Sequence, residues 1–183
     1  QLDNVVMILQ HDPRWTGRLR WNEFEDVVEI DGKQITDVME SGISLWLEST
    51  YDLHWSTDRV AEGVRLVASE IRYHPVRAYL DTLSWDGVER LPHLFTDFFG
   101  AEDTELHRAY GVCWAISCCA RVWQPGCKVD TTLILKGGQG VGKSTAFKIL
   151  AGEWFCDSSI DMRNKDAYMQ IGGCWIYELA ELD

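Results

Sequence analysis

Nine consecutive residues, Gly137-Gly138-Gln139-Gly140-Val141-Gly142-Lys143-Ser144-Thr145, combine the side chains and the backbone freedom that phosphate chemistry requires. In such a G-x-x-x-x-G-K-[ST] loop the glycines let successive N–H groups close around phosphate oxygens without Cβ clashes. A helix that follows directs its positive N-terminal end at the same anions. The spacing assigns the cradle to Gly138, Gln139, Gly140, Val141, Gly142 and Thr145, the outer phosphates to the Lys143 ammonium, and Mg²⁺ to the Ser144 hydroxyl.

Such a loop needs a strand before it, a helix after it and an acid beside it. Residues 131–136 (Thr-Thr-Leu-Ile-Leu-Lys) read as a short buried strand, and Lys143 to Leu150 as a helix with Ala146, Phe147 and Leu150 facing inward. Further on, Trp154-Phe155-Cys156 is a strand candidate, Lys165 to Ile171 a helix, and Cys174 to Leu179 a second buried strand. That strand delivers Glu178 at its C-terminal end, where a carboxylate can hold Mg²⁺ beside Ser144 or orient an attacking water. Glu181 is assigned a second acid role, with an ordinary surface position as the alternative. Arg163-Asn164-Lys165-Asp166 misses the N-K-x-D guanine reader, because Ala167 stands two residues after Lys165; ATP is the expected nucleotide.

Before the loop the pattern is mainly helical. Helical spacing runs over Leu2 to Gln10, Asp37 to Leu47, a segment starting at Ser56 and ending before His74-Pro75, Pro75 to Asp81, and Leu91 to Phe99. Residues 26–35 contain Asp31-Gly32 between alternating residues, which marks a tight hairpin. Thr104 to Trp123 is the longest helical stretch, with Leu106, Tyr110, Cys113, Ser117 and Ala120 on one stripe, and Pro125-Gly126 stops it. The expected fold is therefore α/β, with a mainly α-helical domain carrying a small β hairpin over 1–125. It is followed over 126–183 by the N-terminal part of a P-loop NTPase domain, a partial parallel sheet with flanking helices.

Charge bounds the partners. Residues 1–125 hold 11 Lys and Arg against 21 Asp and Glu, and residues 126–183 hold 6 against 8, within a net charge of −12. A chain so acidic has no overall attraction for nucleic acid, so DNA contact requires a local basic patch or an assembled channel. Arg59, Arg65, Arg72 and Arg77 could make such a stripe, but Asp58, Glu62, Glu70 and Asp81 interleave with them, which favours a salt-paired surface. The nine tryptophans are spread through both parts, which favours core packing over base stacking. Six cysteines show no zinc spacing and read as reduced, mostly buried thiols. The sequence shows no basic secretory n-region and no apolar run of about 20 residues, so a cytoplasmic, non-membrane protein is expected.

Asp12-Pro13-Arg14-Trp15, Trp21-Asn22-Glu23-Phe24, His74-Pro75-Val76-Arg77, Leu83-Ser84-Trp85-Asp86-Gly87, residues 125–130 (Pro-Gly-Cys-Lys-Val-Asp) and residues 178–182 (Glu-Leu-Ala-Glu-Leu) occur in order around the glycine loop. Together they resemble the virulence-associated protein E family, phage- and genomic-island-encoded P-loop ATPases similar to superfamily 3 helicases. The resemblance implies an ATPase module attached to or encoded near a primase, replicating mobile DNA as a homo-oligomeric ring on single-stranded DNA. By position, Gly137 to Thr145 would be its Walker A loop and Glu178 its Walker B acid. Members of the family continue into a sensor segment and an arginine that reaches a neighbour's nucleotide, whereas this sequence stops at Asp183. A fragment or truncation is therefore expected. The alternatives are a switch that binds ATP without turnover and, ranked last, a small-molecule phosphotransferase.

Overall fold

Val5 and Leu9 lie one helical turn apart, and Val60, Val64 and Val67 repeat the same spacing. In the computed structural model, which describes residues 2–52, 54–158 and 171–179, these two stripes face each other. They lie on α1 (Leu2–His11) and α3 (Thr57–Glu70). Gly63 brings the helices close: a Cβ there would lie 2.6 Å from Cγ1 of Val5. Between them in sequence, α2 (Asp37–Tyr51) starts at Thr36, whose side chain accepts the Met39 N–H, and buries Ile43 and Leu47. It runs one turn past the expected end, to Tyr51, whose hydroxyl donates to Asp12.

The helices cover a four-stranded sheet in the order β3-β2-β1-β4, built from β1 (Leu19–Asn22), β2 (Val27–Ile30), β3 (Lys33–Gln34) and β4 (Arg72–Tyr73). The expected Asp-Gly hairpin is β2-β3, with Asp31 at φ 52° and Gly32 at φ 77°, the left-handed pair a two-residue turn requires. β1 and β4 extend it, β1 antiparallel to β2 and parallel to β4. Residues 71–73 were expected to prolong α3. Instead the Ile71 and Tyr73 carbonyls accept the N–H groups of Trp21 and Glu23, so the helix stops at Glu70 and Ile71 turns outward. Leu66 is exposed as well.

One charged group is buried in this sheet. Glu29 is accepted there because Asn22 Nδ2 donates to its Oε1 at 2.8 Å and the Tyr73 hydroxyl donates to its Oε2, so β1 and β4 supply its contacts. Burial, together with this hydrogen bond and the Glu29 charge, pushes the Tyr73 phenol up to about 12. Trp15 packs edge-on to Trp46 at 5.3 Å in the core, in line with the packing reading of the tryptophans, whereas Trp85 is 77% exposed.

The chain divides into two compact units, Gln1–Pro75 and Val76–Asp183. The sequence boundary after residue 125 differs from this, because the long helix that precedes it packs with the glycine-loop segment. The second unit holds α4 (Pro75–Asp81) from Val76 onward, a 3-10 turn at Leu91–His93, α5 (Leu94–Phe99), α6 (Glu105–Trp123), α7 (Lys143–Ala151), a 3-10 turn at Gly152–Trp154, β5 (Phe155–Cys156) and β6 (Ile176–Tyr177). β5 and β6 pair in parallel. The described fold is mixed α/β, and no helix among the described residues is long and apolar enough to cross a membrane.

Two outcomes follow for the first unit. Gly63→Ala is expected to lower stability by about 1–3 kcal/mol, because Val5 is β-branched and cannot yield. Gly42→Ala, which meets open space in α2, is expected to raise stability by about 0.5–1 kcal/mol, both read from urea midpoints. Folding favours the neutral Tyr73 phenol, so its contribution is full below the ordinary value of 10.0 and is lost as pH rises through about 12. Phenolate absorbance should show this tyrosine ionising late, and Glu29→Gln should bring it down.

Candidate functional site

Glycine is required at two positions of the loop on conformational grounds: Gly140 has φ +79° and Gly142 φ +84°. Gly142 is also the N-cap of α7, its carbonyl accepting the Ala146 N–H at 3.0 Å, and no side chain caps the helix. Gly138, Gln139, Val141 and Thr145 are exposed around it. Lys143 folds back over the loop, its ammonium donating to the carbonyls of Gly137 at 3.0 Å and Gly138 at 2.8 Å.

The next contact spans 34 residues. The Ser144 hydroxyl donates to Glu178 Oε1 at 2.6 Å. The Glu178 N–H donates to the Cys156 carbonyl at 2.8 Å, which continues the β5-β6 ladder and fixes the acid at the strand end. Glu178 Oε2 is buried with no hydrogen-bond partner. Two of the expected site residues therefore meet, and one of them keeps an unsatisfied oxygen. Such an atom suits a cation, and Mg²⁺ usually takes only one or two protein oxygens, completing its shell with phosphates and water. Among the described residues no group of three or more His, Cys, Asp or Glu gathers as a metal cage. Glu181 lies outside the described residues, as do Arg163, Asn164 and most of the helix expected over 165–171.

One helix positions both halves of this contact. Trp114 of α6 packs edge-on to Phe147 of α7 at 5.1 Å, and Phe99 of α5 adds a second ring at 5.4 Å. One turn along α6, the Cys118 carbonyl accepts the indole N–H of Trp175, next to β6, at 3.1 Å. Trp154, Trp175 and Tyr79 complete an aromatic cluster at the start of β5 and β6. The expected stripe of α6 holds only in its last part, where Ser117 and Ala120 are half-buried. Leu106, Tyr110 and Cys113 are exposed, while Gly111 and Val122 are buried and Trp114 and Cys118 half-buried. Gly111 sets this phase, because a Cβ there would stand 2.6 Å from the Leu91 carbonyl oxygen.

Two further expectations change. Residues 131–136 bury alternate side chains, with Leu133 and Leu135 half-buried and Ile134 exposed, yet form no strand. A strand exists through its ladder, and the described residues provide none alongside. Leu150 is exposed and Ala151 buried, since the ridge of α7 runs through Phe147 to Ala151, one turn on.

A family model for the virulence-associated protein E-like domain matches residues 80–183, more than half of the chain. The chain belongs to the virulence-associated protein E-like domain family. No curated protein matches it. The family match begins within α4 and takes in the glycine loop, α6 and both strands of the small sheet. Within this family domain, sequence reasoning singled out Lys143, Ser144 and Glu178 by type and spacing, and the structure brings Ser144 and Glu178 together. Sequence reasoning missed Trp114, Cys118 and Trp175, whose roles depend on which way α6 is turned.

Ser144→Ala removes the only hydrogen bond that the described residues make to the Glu178 carboxylate. It is expected to lower stability by about 1 kcal/mol in urea unfolding, the usual cost of losing a partner at a partly buried acceptor.

Proposed function

We propose that the chain is a Mg·ATP-binding, helicase-like P-loop ATPase module of a protein that replicates mobile DNA. The observation that carries this reading is the Ser144–Glu178 contact, which joins the loop helix to an acid at the end of a parallel strand. The N–H groups of residues 138–142 and the uncapped start of α7 would hold the phosphates. The Lys143 ammonium would exchange two carbonyls for the outer phosphate oxygens. Ser144 and Glu178 would hold Mg²⁺, which when bound draws charge from the phosphates. The Glu178 carboxylate would orient the attacking water. The net charge of −12 makes DNA contact a property of an assembly, and a homo-oligomeric ring on single-stranded DNA beside a primase fits that requirement.

A second reading is a nucleotide-dependent switch without turnover. It is favoured by the self-satisfied state of the loop, in which Lys143 and Ser144 both already have partners. ATP hydrolysis measured with and without single-stranded DNA separates the two. On the ATPase reading, DNA stimulates turnover, and Lys143→Ala lowers it by about 10²–10³-fold, the usual cost of removing one charge-stabilising group. Glu178→Gln should spare ATP binding and abolish hydrolysis. ATP binding with no turnover in the parent chain would select the switch, and no ATP binding would overturn both.

A further inference from the structure

The side of α6 turned away from its anchors has a pattern of its own. Leu106, Ala109, Cys113, Ile116, Ala120 and Trp123 follow one another in steps of three, four, three, four and three residues. At 3.6 residues per turn they form one strip, opposite the face that carries Gly111, Cys118 and Val122. Leu106 and Ile116 are each 57% exposed and Trp123 48%; Ala109 and Cys113 are exposed and Ala120 half-buried. A single exposed apolar side chain is ordinary, whereas a continuous strip along five turns marks an interface.

We propose that this strip joins two copies of the chain, α6 lying antiparallel on the α6 of the second copy about a two-fold axis between Cys113 and Ile116. Alternating steps of three and four make the seam of a helix pair. The steps also read the same from either end, so a second copy turned end for end sets every strip position opposite another. Leu106 of each copy meets Trp123 of the other, Ala109 meets Ala120, and Cys113 meets Ile116. A two-fold contact requires such self-complementarity, because the same patch must serve on both sides. The alanine pairs let the helices approach closely between the larger side chains.

Charge selects the same occupant and the same direction. A net charge of −12 makes two copies repel, so contact between them belongs where charge is absent. Positions 110, 112, 117 and 119, which border the strip, hold Tyr, Val, Ser and Cys. Arg108 and Arg121 lie off it to opposite sides, and Arg108 is paired with Asp103. A parallel pair would set the acidic ends, with Glu102, Asp103 and Glu105, against each other. The antiparallel pair instead brings Arg121 and the negative end of one helix dipole to the acidic, dipole-positive end of the other. A strip about 26 Å long covers roughly 1,000 Å² in total, the lower limit of specific interfaces, so the dimer is weak. It is closed, unlike a head-to-tail ring contact between two different surfaces, and it does not rest on the ATPase reading.

Sedimentation of the full chain from about 1 to about 200 µM, a range that spans weak association, tests this. A dimer is expected in the upper part of the range. Ile116→Glu sets a charge at the axis twice over and should weaken association by about 100-fold or more, as loss of a central contact does. The side chain is exposed in the single copy, so the urea midpoint of the dilute variant should stay that of the parent. Ile149→Glu, which removes an exposed apolar side chain from α7, should leave the dimer intact. For direction, Cys113 and Cys119 are replaced by Ser, and a chain with Ala109→Cys is mixed with one carrying Ala120→Cys. A short bis-maleimide should then give peptides linked from 109 to 120. A chain that stays single throughout the range, an oligomer of any size that survives Ile116→Glu, or links from 109 to 109 would overturn the proposal.

Discussion

The second unit depends on a carboxylate that is only half satisfied. Glu178 takes a hydroxyl proton on one oxygen and nothing on the other, and an incomplete buried acceptor costs free energy unless something holds it in place. Here its own N–H is tied to β5 and the rings around Trp175 are tied to α6. Phe147, on the helix that carries Ser144, is packed against the same α6. The hydroxyl and the acid therefore meet because one helix anchors both of their elements. Preorganisation of this kind is what a charge-stabilising site requires, since donors and acceptors fixed beforehand need not be reorganised when a charged ligand arrives.

The first unit solves a related problem in a different way. Glu29 is enclosed by Asn22 and Tyr73 from neighbouring strands, so both of its oxygens are met. A one-residue slip of β1 against β2 would turn Asn22 to the opposite face and leave the Glu29 carboxylate without that donor. The polar pair therefore helps to specify register, while Val5, Leu9, Val60 and Val64 supply the burial. One carboxylate is complete and belongs to the architecture; the other is incomplete and available.

What was legible in the sequence follows the range of the interactions. Gly140 and Gly142 and the Asp31-Gly32 turn are local requirements, written in the residues that meet them. Lys143, Ser144 and Glu178 were readable because their chemistry restricts residue type as well as spacing. β1 and β4 were not readable, because β4 is two residues long and exists only through its parallel pairing with β1, which lies some 50 residues earlier in the chain. The face of α6 was misjudged for a related reason. Its apolar stripe is real, yet the Leu91 carbonyl against Gly111 decides the phase, and that carbonyl carries no signal of its own in the sequence.

The anchoring role of α6 also bears on how such a chain can diverge. Trp114 and Cys118 are four residues apart, about 6 Å along the axis and nearly in phase. Inserting or deleting a single residue between them would swing one anchor by about 100° relative to the other while leaving the helix intact. Ser144 and Glu178 would each keep their own element and lose each other. Length changes in this turn are therefore closed to evolution, whereas residues 82–90, exposed throughout, can lengthen or shorten freely. Homologous chains should drift in length within that loop and hold count across one turn of α6.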